Sequence, residues 1–211
     1  LQAAMTAHAV ETEMLKRQCG IQDQLCSAYG GINFITMPEY PHGQVTQVEL
    51  SQPVRWELQR RLALVYLGKT HDSSRVHEKV IAELEDAGPD SPKLTDLRLT
   101  AEKSRDALIA GDFKALGEAM VANTAAQGRL HPELVNPEAR RVISIAQEHA
   151  AAGWKVNGAG GEGGSLTLLC PTRSDARRAM LRAIELESPL FKVIPIQLDR
   201  WGLHVWETRN V

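Results

Sequence analysis

The stretch Asn157-Gly-Ala-Gly-Gly-Glu-Gly-Gly-Ser-Leu-Thr-Leu-Leu-Cys-Pro171 decides how the rest of the chain is read. Gly158, Gly160 and Gly163 satisfy the spacing G-x-G-x-x-G. In a dinucleotide-binding fold that motif passes directly into a helix, whose N-terminus holds the pyrophosphate. Here Ser165–Cys170 has the composition of a strand and is stopped by Pro171. Glu185, the downstream acidic candidate, falls on a predicted helix and not at a strand end. An NAD-dependent dehydrogenase would need a helix after Gly164, and a P-loop would need Gly-Lys-Ser/Thr. Five glycines between two extended segments exceed what a turn requires. Glycine admits positive φ and the close approach of a ligand or another chain segment. The stretch therefore reads as a functional loop, with tight packing between lobes as the alternative. Lys155 beside it reads as a solvated strand-edge lysine within reach of a phosphate.

Upstream of this loop the pattern is mostly helical. Asp72 or Ser73 caps a predicted helix with Val76, Val80, Ile81 and Leu84 on its apolar face. Leu94, Leu97, Ala101 and Leu108 mark a second helix closed by Gly111, and Phe113, Leu116, Met120 and Thr124 a third closed near Gly128. Pro137 suits the start of a fourth, with Val142, Ile143 and Ala146 inward. Further back, Arg61–Gly68 is a nearly continuous apolar run and predicts a buried strand. Ile32–Met37 and Gln44–Leu50 read as strands around a turn with two prolines. Leu1–Lys16 reads as a helix already in progress, with Leu1, Met5, Ala9 and Val10 on one face, so the sequence looks cut from something longer. Downstream, Ser174 caps a helix carrying Ala176, Met180, Ala183 and Ile184. Phe191–Leu198 and Leu203–Trp206 then read as two closing strands joined as a hairpin, packed by Trp201 and Trp206. Strands, then helices, then a β-α-β-β ending predict an α+β chain in two lobes.

The 211 residues are 43% hydrophobic and 24% charged, with a formal net charge of −2. That balance argues against capture of nucleic acid or of an anionic membrane. No apolar stretch is long enough to span a bilayer, and no secretory segment is visible. Cys19, Cys26 and Cys170 are spaced for neither a zinc knuckle nor a redox pair, and read as reduced thiols of a cytoplasmic protein. His71 and His77 do not share a helical face, so no metal site is expected from them.

Near the start, Cys19-Gly-Ile-Gln-Asp-Gln-Leu-Cys-Ser-Ala-Tyr-Gly-Gly31 sets one carboxylate between two amides, ahead of a glycine pair. If Gln22–Ala28 begins a helix, Asp23 lies in its first turn, where the helix dipole favours the ionised form. Such a carboxylate can take a proton from a hydroxyl, or orient it for attack on phosphorus. A simple helix cap is the competing reading. Thr70, Ser73, Ser74 and Arg75 follow a buried strand and open a helix, so backbone N–H groups and the guanidinium there could hold a substrate phosphate. The competing reading is again a well-capped helix.

Together the two motifs resemble the GHMP kinase superfamily of galactokinase, homoserine kinase, mevalonate kinase and phosphomevalonate kinase. Gly20-Ile-Gln-Asp-Gln24 with Ala28-Tyr-Gly-Gly-Ile-Asn-Phe34 resembles the acidic segment of its heptose 7-phosphate kinase branch. Gly158-Ala-Gly-Gly-Glu-Gly-Gly164 resembles the third, C-terminal glycine motif. Leu67–Ser74 and Pro195–His204 also fit that branch.

The resemblance implies the remainder of a ribosomal-S5-like N-terminal lobe over 1–68, followed by a ferredoxin-like C-terminal lobe over 69–211. It implies ATP and a small-molecule sugar or sugar phosphate as substrates, and Asp23 as the catalytic base or hydroxyl-positioning group. Gly158, Ala159, Gly160 and Gly161 carry over the loop near substrate and phosphates. Mg2+ is expected with ligands upstream of Leu1, and a homodimer is an assembly left open. Two departures stand out. Glu162 occupies a place usually taken by a small residue, where a carboxylate would repel phosphate. The glycine-rich, serine-containing phosphate loop is absent and would lie upstream of Leu1. The reading is thus ATP-dependent phosphorylation of a sugar or sugar-phosphate hydroxyl by the parent enzyme. Its competitor is a catalytically incomplete fragment acting as a folded or interaction domain.

Overall fold

The computed structural model describes residues 1–68, 80–82, 91–158 and 163–207. The chain divides into two units, Leu1–Glu49 with Gln197–Val211, and Leu50–Ile196.

In the first unit, α1 (Gln2–Ala9) runs on into a π-helical turn, Val10–Met14. It is followed by α2 (Gln22–Tyr29) and a hairpin of β1 (Asn33–Glu39) and β2 (His42–Gln47). The hairpin is antiparallel, with Ile35 opposite Val45. Ala4, Ile21 and Leu25 are buried at its centre, with Met5, Ala28, Tyr29, Ile35 and Val45 packed around them. The buried face of α1 is therefore Ala4 and His8, not the expected Leu1 and Ala9, and Leu1 is 61% exposed. The reason is a polar anchor: Nε2 of His8 lies 2.8 Å from the Tyr40 hydroxyl, which donates to the Cys19 carbonyl at 3.0 Å.

The C-terminal segment also departs from expectation. Residues 203–206 form no strand, and Trp201 and Trp206 are 66% and 79% exposed rather than packed. The segment is held by its main chain instead. Leu203 N–H donates to the Ala28 carbonyl at 3.1 Å, and the backbones of Gly30 and Gly202 approach so closely that a Cβ on either would overlap the other segment. A contact made through main chain leaves the alternating apolar side chains outside.

The second unit opens with α3 (Gln52–Arg61), which hydropathy did not reveal. Only Leu58 and Arg61 of this helix are buried, so its apolar stripe is too thin to register. Ser51 preceding it and Pro53 in its first turn are the local start signals. Arg61 is buried because Nε donates to the Cys170 carbonyl at 3.0 Å and the guanidinium lies over the Phe113 ring.

The apolar run then forms β3 (Leu62–Tyr66), with Ala63 and Val65 buried. Of the helix expected from Asp72 or Ser73, only 80–82 is described, and it is helical there. Next come α4 (Pro92–Ala110), α5 (Phe113–Leu130) and α6 (Pro137–Glu148). A hairpin of β4 (Gly153–Val156) and β5 (Ser165–Leu169) follows, then α7 (Ser174–Glu187) and β6 (Lys192–Ile194). The sheet order is β4-β5-β3-β6, with every pair antiparallel. A β-α-β-β-α-β chain paired in this order is the ferredoxin-like connectivity.

One face of the sheet, through Val65, Val156, Leu166 and Leu168, packs on Val142 and Ala146 of α6, on Met180 and Ile184 of α7, and on Phe191. The edge of β4 is covered by α5, where Gly117 and Gly153 let the two backbones touch. The expected division at 68/69 is displaced accordingly. β3 is a central strand of this sheet, and Leu50–Ile196 form one unit around it. The residues after Gly164 form β5 and not a helix, which removes the dinucleotide reading. Among the described residues no helix is long and apolar enough to cross a membrane.

Candidate active site

Asp23 stands exposed in the first turn of α2. That helix is fixed from behind by Ile21 and Leu25, 1% and 0% exposed, and by the Gln24 amide, which donates to Glu11 Oε1 at 2.7 Å. The hydrophobic face thus holds the backbone while the carboxylate projects from the positive end of the helix dipole. Burial, with the charges of Glu11 and Asp23 added, pushes the Cys19 thiol up, and burial followed by Asp23 does the same for Cys26. An exposed carboxylate so placed can orient a hydroxyl and take its proton.

The glycine segment joins β4 to β5 in the other unit, and its two ends are clamped. Asn157 N–H donates to the Ser165 carbonyl at 3.0 Å, closing the hairpin. From α5, the Gln127 amide donates to the Gly158 carbonyl at 3.0 Å. From the start of α6, the Asn136 amide donates to the Gly163 carbonyl, also at 3.0 Å. The same Asn136 caps α6 by accepting from Ala139 N–H at 2.7 Å. Thr124 supports the strand below, accepting from Val156 N–H at 3.3 Å and donating to the Trp154 carbonyl at 3.2 Å. Gly158 sits at φ +59°, with open space where a Cβ would stand.

Lys155 is not the solvated lysine expected. It is half-buried, its ammonium donates to the Val156 carbonyl at 2.9 Å, and burial pushes its pKa below the ordinary lysine range. Sequence reading took Thr124 for an apolar-face marker and passed over Gln127 and Asn136. The Asn136-Pro137 pair, an N-cap followed by proline at the first helical position, is the signal that could have found the second of these.

Residues 104–185 match the family of the GHMP kinases' C-terminal domain. That match covers less than half of the chain and lies within the second unit. A curated relative, the D-glycero-alpha-D-manno-heptose 7-phosphate kinase of Campylobacter jejuni subsp. jejuni serotype O:2, is 24% identical over 170 residues, 81% of this chain and 50% of the relative. Among solved structures, a D-glycero-D-manno-heptose 1-phosphate kinase from Bacteriodes thetaiotaomicron superposes with a TM-score of 0.66 at 17% identity, over 98% of this chain and 55% of its own. The L. major mevalonate kinase in complex with R-mevalonate superposes with a TM-score of 0.63 at 21% identity, over 82% of this chain and 50% of its own. These structural likenesses establish the fold. The chain spans about half the length of the relatives it matches.

Of the expected site residues, Asp23 and Gly158 are described, in different units. Ala159, Gly160, Gly161 and Glu162, and the Thr70, Ser73, Ser74 and Arg75 group, lie outside the described residues. Among the described residues no three His, Cys, Asp or Glu side chains converge on a metal position.

Proposed function

We propose that this chain is part of an ATP-dependent GHMP kinase that phosphorylates a hydroxyl of a sugar or sugar phosphate, in the manner of a heptose 7-phosphate kinase. The observation that carries the reading is the exposed Asp23 in the first turn of α2, within Gly20-Ile-Gln-Asp-Gln24, in a chain that also has the GHMP C-terminal domain. The similarity to a heptose 7-phosphate kinase over 81% of the chain supports the sugar-phosphate class. Because the chain spans about half of such relatives, the activity proposed is that of the whole protein. In this reading the unit containing Asp23 is the remainder of the N-terminal lobe.

Asp23 orients the acceptor hydroxyl and takes its proton as that oxygen bonds to the γ-phosphorus of ATP. The bond from that phosphorus to the β–γ bridging oxygen breaks, leaving ADP and the phosphorylated sugar. Little of this is covalent chemistry on the protein, so positioning carries most of the catalysis. In the second unit the ends of the glycine segment are held by Gln127 and Asn136.

The test is turnover of the full-length protein with ATP and a panel of sugars and sugar phosphates that includes a heptose 7-phosphate. Asp23→Ala and Asp23→Asn should each lower kcat by about 10²–10⁴-fold, the usual range for losing a positioned acid or base. KM for both substrates should change far less. Turnover equal to wild type in both variants would overturn the assignment.

A further inference from the structure

Between the π-helical turn after α1 and the start of α2, the first unit holds a cavity of about 320 Å³. Thr12, Lys16, Arg17, Gln18, Cys19 and Tyr40 line it. Its walls are held by bonds internal to the unit. Thr12 Oγ1 donates to the His8 carbonyl at 2.9 Å, and the Tyr40 hydroxyl donates to the Cys19 carbonyl at 3.0 Å. Behind them His8 is buried, with Nε2 2.8 Å from the Tyr40 hydroxyl. The concavity is therefore preorganised.

The two cations on its rim are placed by the backbone. Leu15 N–H donates to the Val10 carbonyl at 3.0 Å and Arg17 N–H to the Glu11 carbonyl at 2.9 Å, closing the turn on both sides of Lys16. Lys16 is thereby held at φ +53°, in the left-handed region that favours glycine. Residues kept in such conformations collect at active sites and ligand clamps. Lys16 and Arg17 are exposed, and among the described residues neither makes an ion pair or a side-chain hydrogen bond. Glu11, on the same turn, is engaged elsewhere, since its Oε1 accepts from the Gln24 amide at 2.7 Å. Two adjacent cations on a flat surface are ordinarily just solvated. Here they border a concave wall of hydroxyl, thiol and amide groups.

The cavity also adjoins the catalytic candidate. Cys19 stands in its wall, and the Asp23 charge, after burial and Glu11, is among the causes that push the Cys19 thiol up. The volume lies at the small end of ligand pockets, which suits a phosphate with part of a sugar better than a nucleotide.

We propose that this cavity is the subsite for the phosphate of the acceptor sugar, with Arg17 forking onto its oxygens and Lys16 supplying a second positive charge. A guanidinium meets phosphate oxygens two at a time, and an ammonium acts beside it as a point charge. The subsite selects a phosphorylated sugar over the free sugar. The proposal rests on the kinase reading, in which Asp23 engages the reacting hydroxyl, and adds the far end of the same substrate.

The test is a titration of the full-length protein, 15N-labelled at arginine, with a heptose 7-phosphate, the unphosphorylated heptose, and ADP. Calorimetry reads affinity, and the Arg17 Nε resonance reads the place of binding. The heptose 7-phosphate should move that resonance and bind at least about ten-fold more tightly than the heptose, as a charge-assisted contact predicts. Lys16→Asn and Arg17→Gln should each weaken its binding by about ten-fold, with a matching rise in KM and no comparable change for ADP. Asparagine tolerates the left-handed backbone, so Lys16→Asn removes the charge without adding strain. A resonance unmoved by the phosphosugar, or equal affinities for heptose and heptose 7-phosphate, overturns the subsite. So does a resonance moved by ADP alone, or a loss that follows Arg75→Ala in place of both variants. The resonance in the unsubstituted protein decides the matter even where a variant fails to fold. Binding is read without turnover, so a phosphosugar that binds through Arg17 yet is not phosphorylated sinks the kinase reading alone. Turnover that needs Asp23 and is indifferent to Lys16 and Arg17 sinks the subsite alone.

Discussion

Asn136 and Gly163 are joined by a buried hydrogen bond, 3.0 Å from the side-chain amide to the carbonyl oxygen. The same side chain accepts from Ala139 N–H at 2.7 Å. One residue thus begins α6 and fixes the end of the glycine segment. Asn136→Ser should separate the two roles, because a serine keeps the cap acceptor but is too short to reach Gly163. Stability should fall by about 1 kcal/mol, the net worth of one hydrogen bond. Amide exchange at Gly163 and Gly164 should quicken by more than that global loss explains, as measured by hydrogen exchange beside urea unfolding. Exchange unchanged at those two amides would show that the bond does not hold the segment.

Thr124 makes a different prediction, because it serves the covered edge of β4. Thr124→Val removes the acceptor of Val156 N–H and the donor to the Trp154 carbonyl. Leaving a buried backbone donor unpaired costs about 1–3 kcal/mol. Chemical denaturation should show a loss in that range, and Thr124→Ser should recover most of it.

Gly117 and Gly153 mark the point where α5 crosses that edge. A Cβ on Gly153 would stand 2.6 Å from the Gly117 Cα, and one on Gly117 would run into the Ala152 carbonyl. No flexible side chain is there to give way. Gly153→Ala should therefore lower stability by about 3 kcal/mol, the upper end of the usual overpacking range. The midpoint of denaturant unfolding is the measurement, and a loss below about 0.5 kcal/mol would contradict the close approach.

Asp175 supplies a pH signature. Arg173 forks onto it, with Nη2 2.6 Å from Oδ2 and Nε 3.1 Å from Oδ1. That pairing, with the Ala176 N–H as a second cause, holds the Asp175 carboxyl down to about 2. A lowered folded-state pKa gives stability that is present above the unfolded value near 4 and is lost as pH falls toward 2. Both groups are exposed, so the effect on overall stability is small, and the carboxyl titration itself is the readout. In an NMR titration Asp175 should ionise near 2, and Arg173→Ala should return it toward the ordinary carboxylate range.

Several elements were legible because their signals are local. Gly111 closes α4 and Pro137 opens α6 where the pattern placed them, and Met180 and Ile184 are the buried residues of α7. The strand after Gly164 was readable from composition and proline alone. By contrast, α3 was missed, because ten residues with only Leu58 and Arg61 buried carry almost no hydropathy period. The closing hairpin was misread for the converse reason. Leu203 and Val205 alternate as in a strand, yet their segment is held through Gly202 and the Leu203 amide. Of the site, the residue types of Asp23 and the glycine segment were visible as motifs. The clamps were not, since Gln127 and Asn136 are 31 and 27 residues from the carbonyls they hold.

What the sequence determined by itself is most of the run of elements, α3 and the C-terminal segment excepted, and the chemistry they bear. An acidic residue in a first helical turn, a glycine segment between strands, and helix ends set by Gly and Pro follow from backbone sterics and periodicity, which act over a few residues. What only the tertiary structure decided is the pairing order β4-β5-β3-β6, the backbone contact of Gly117 with Gly153, and the half-burial of Lys155. Each depends on which distant segment arrives alongside. Burial and desolvation are properties of that arrival, and no local pattern encodes them.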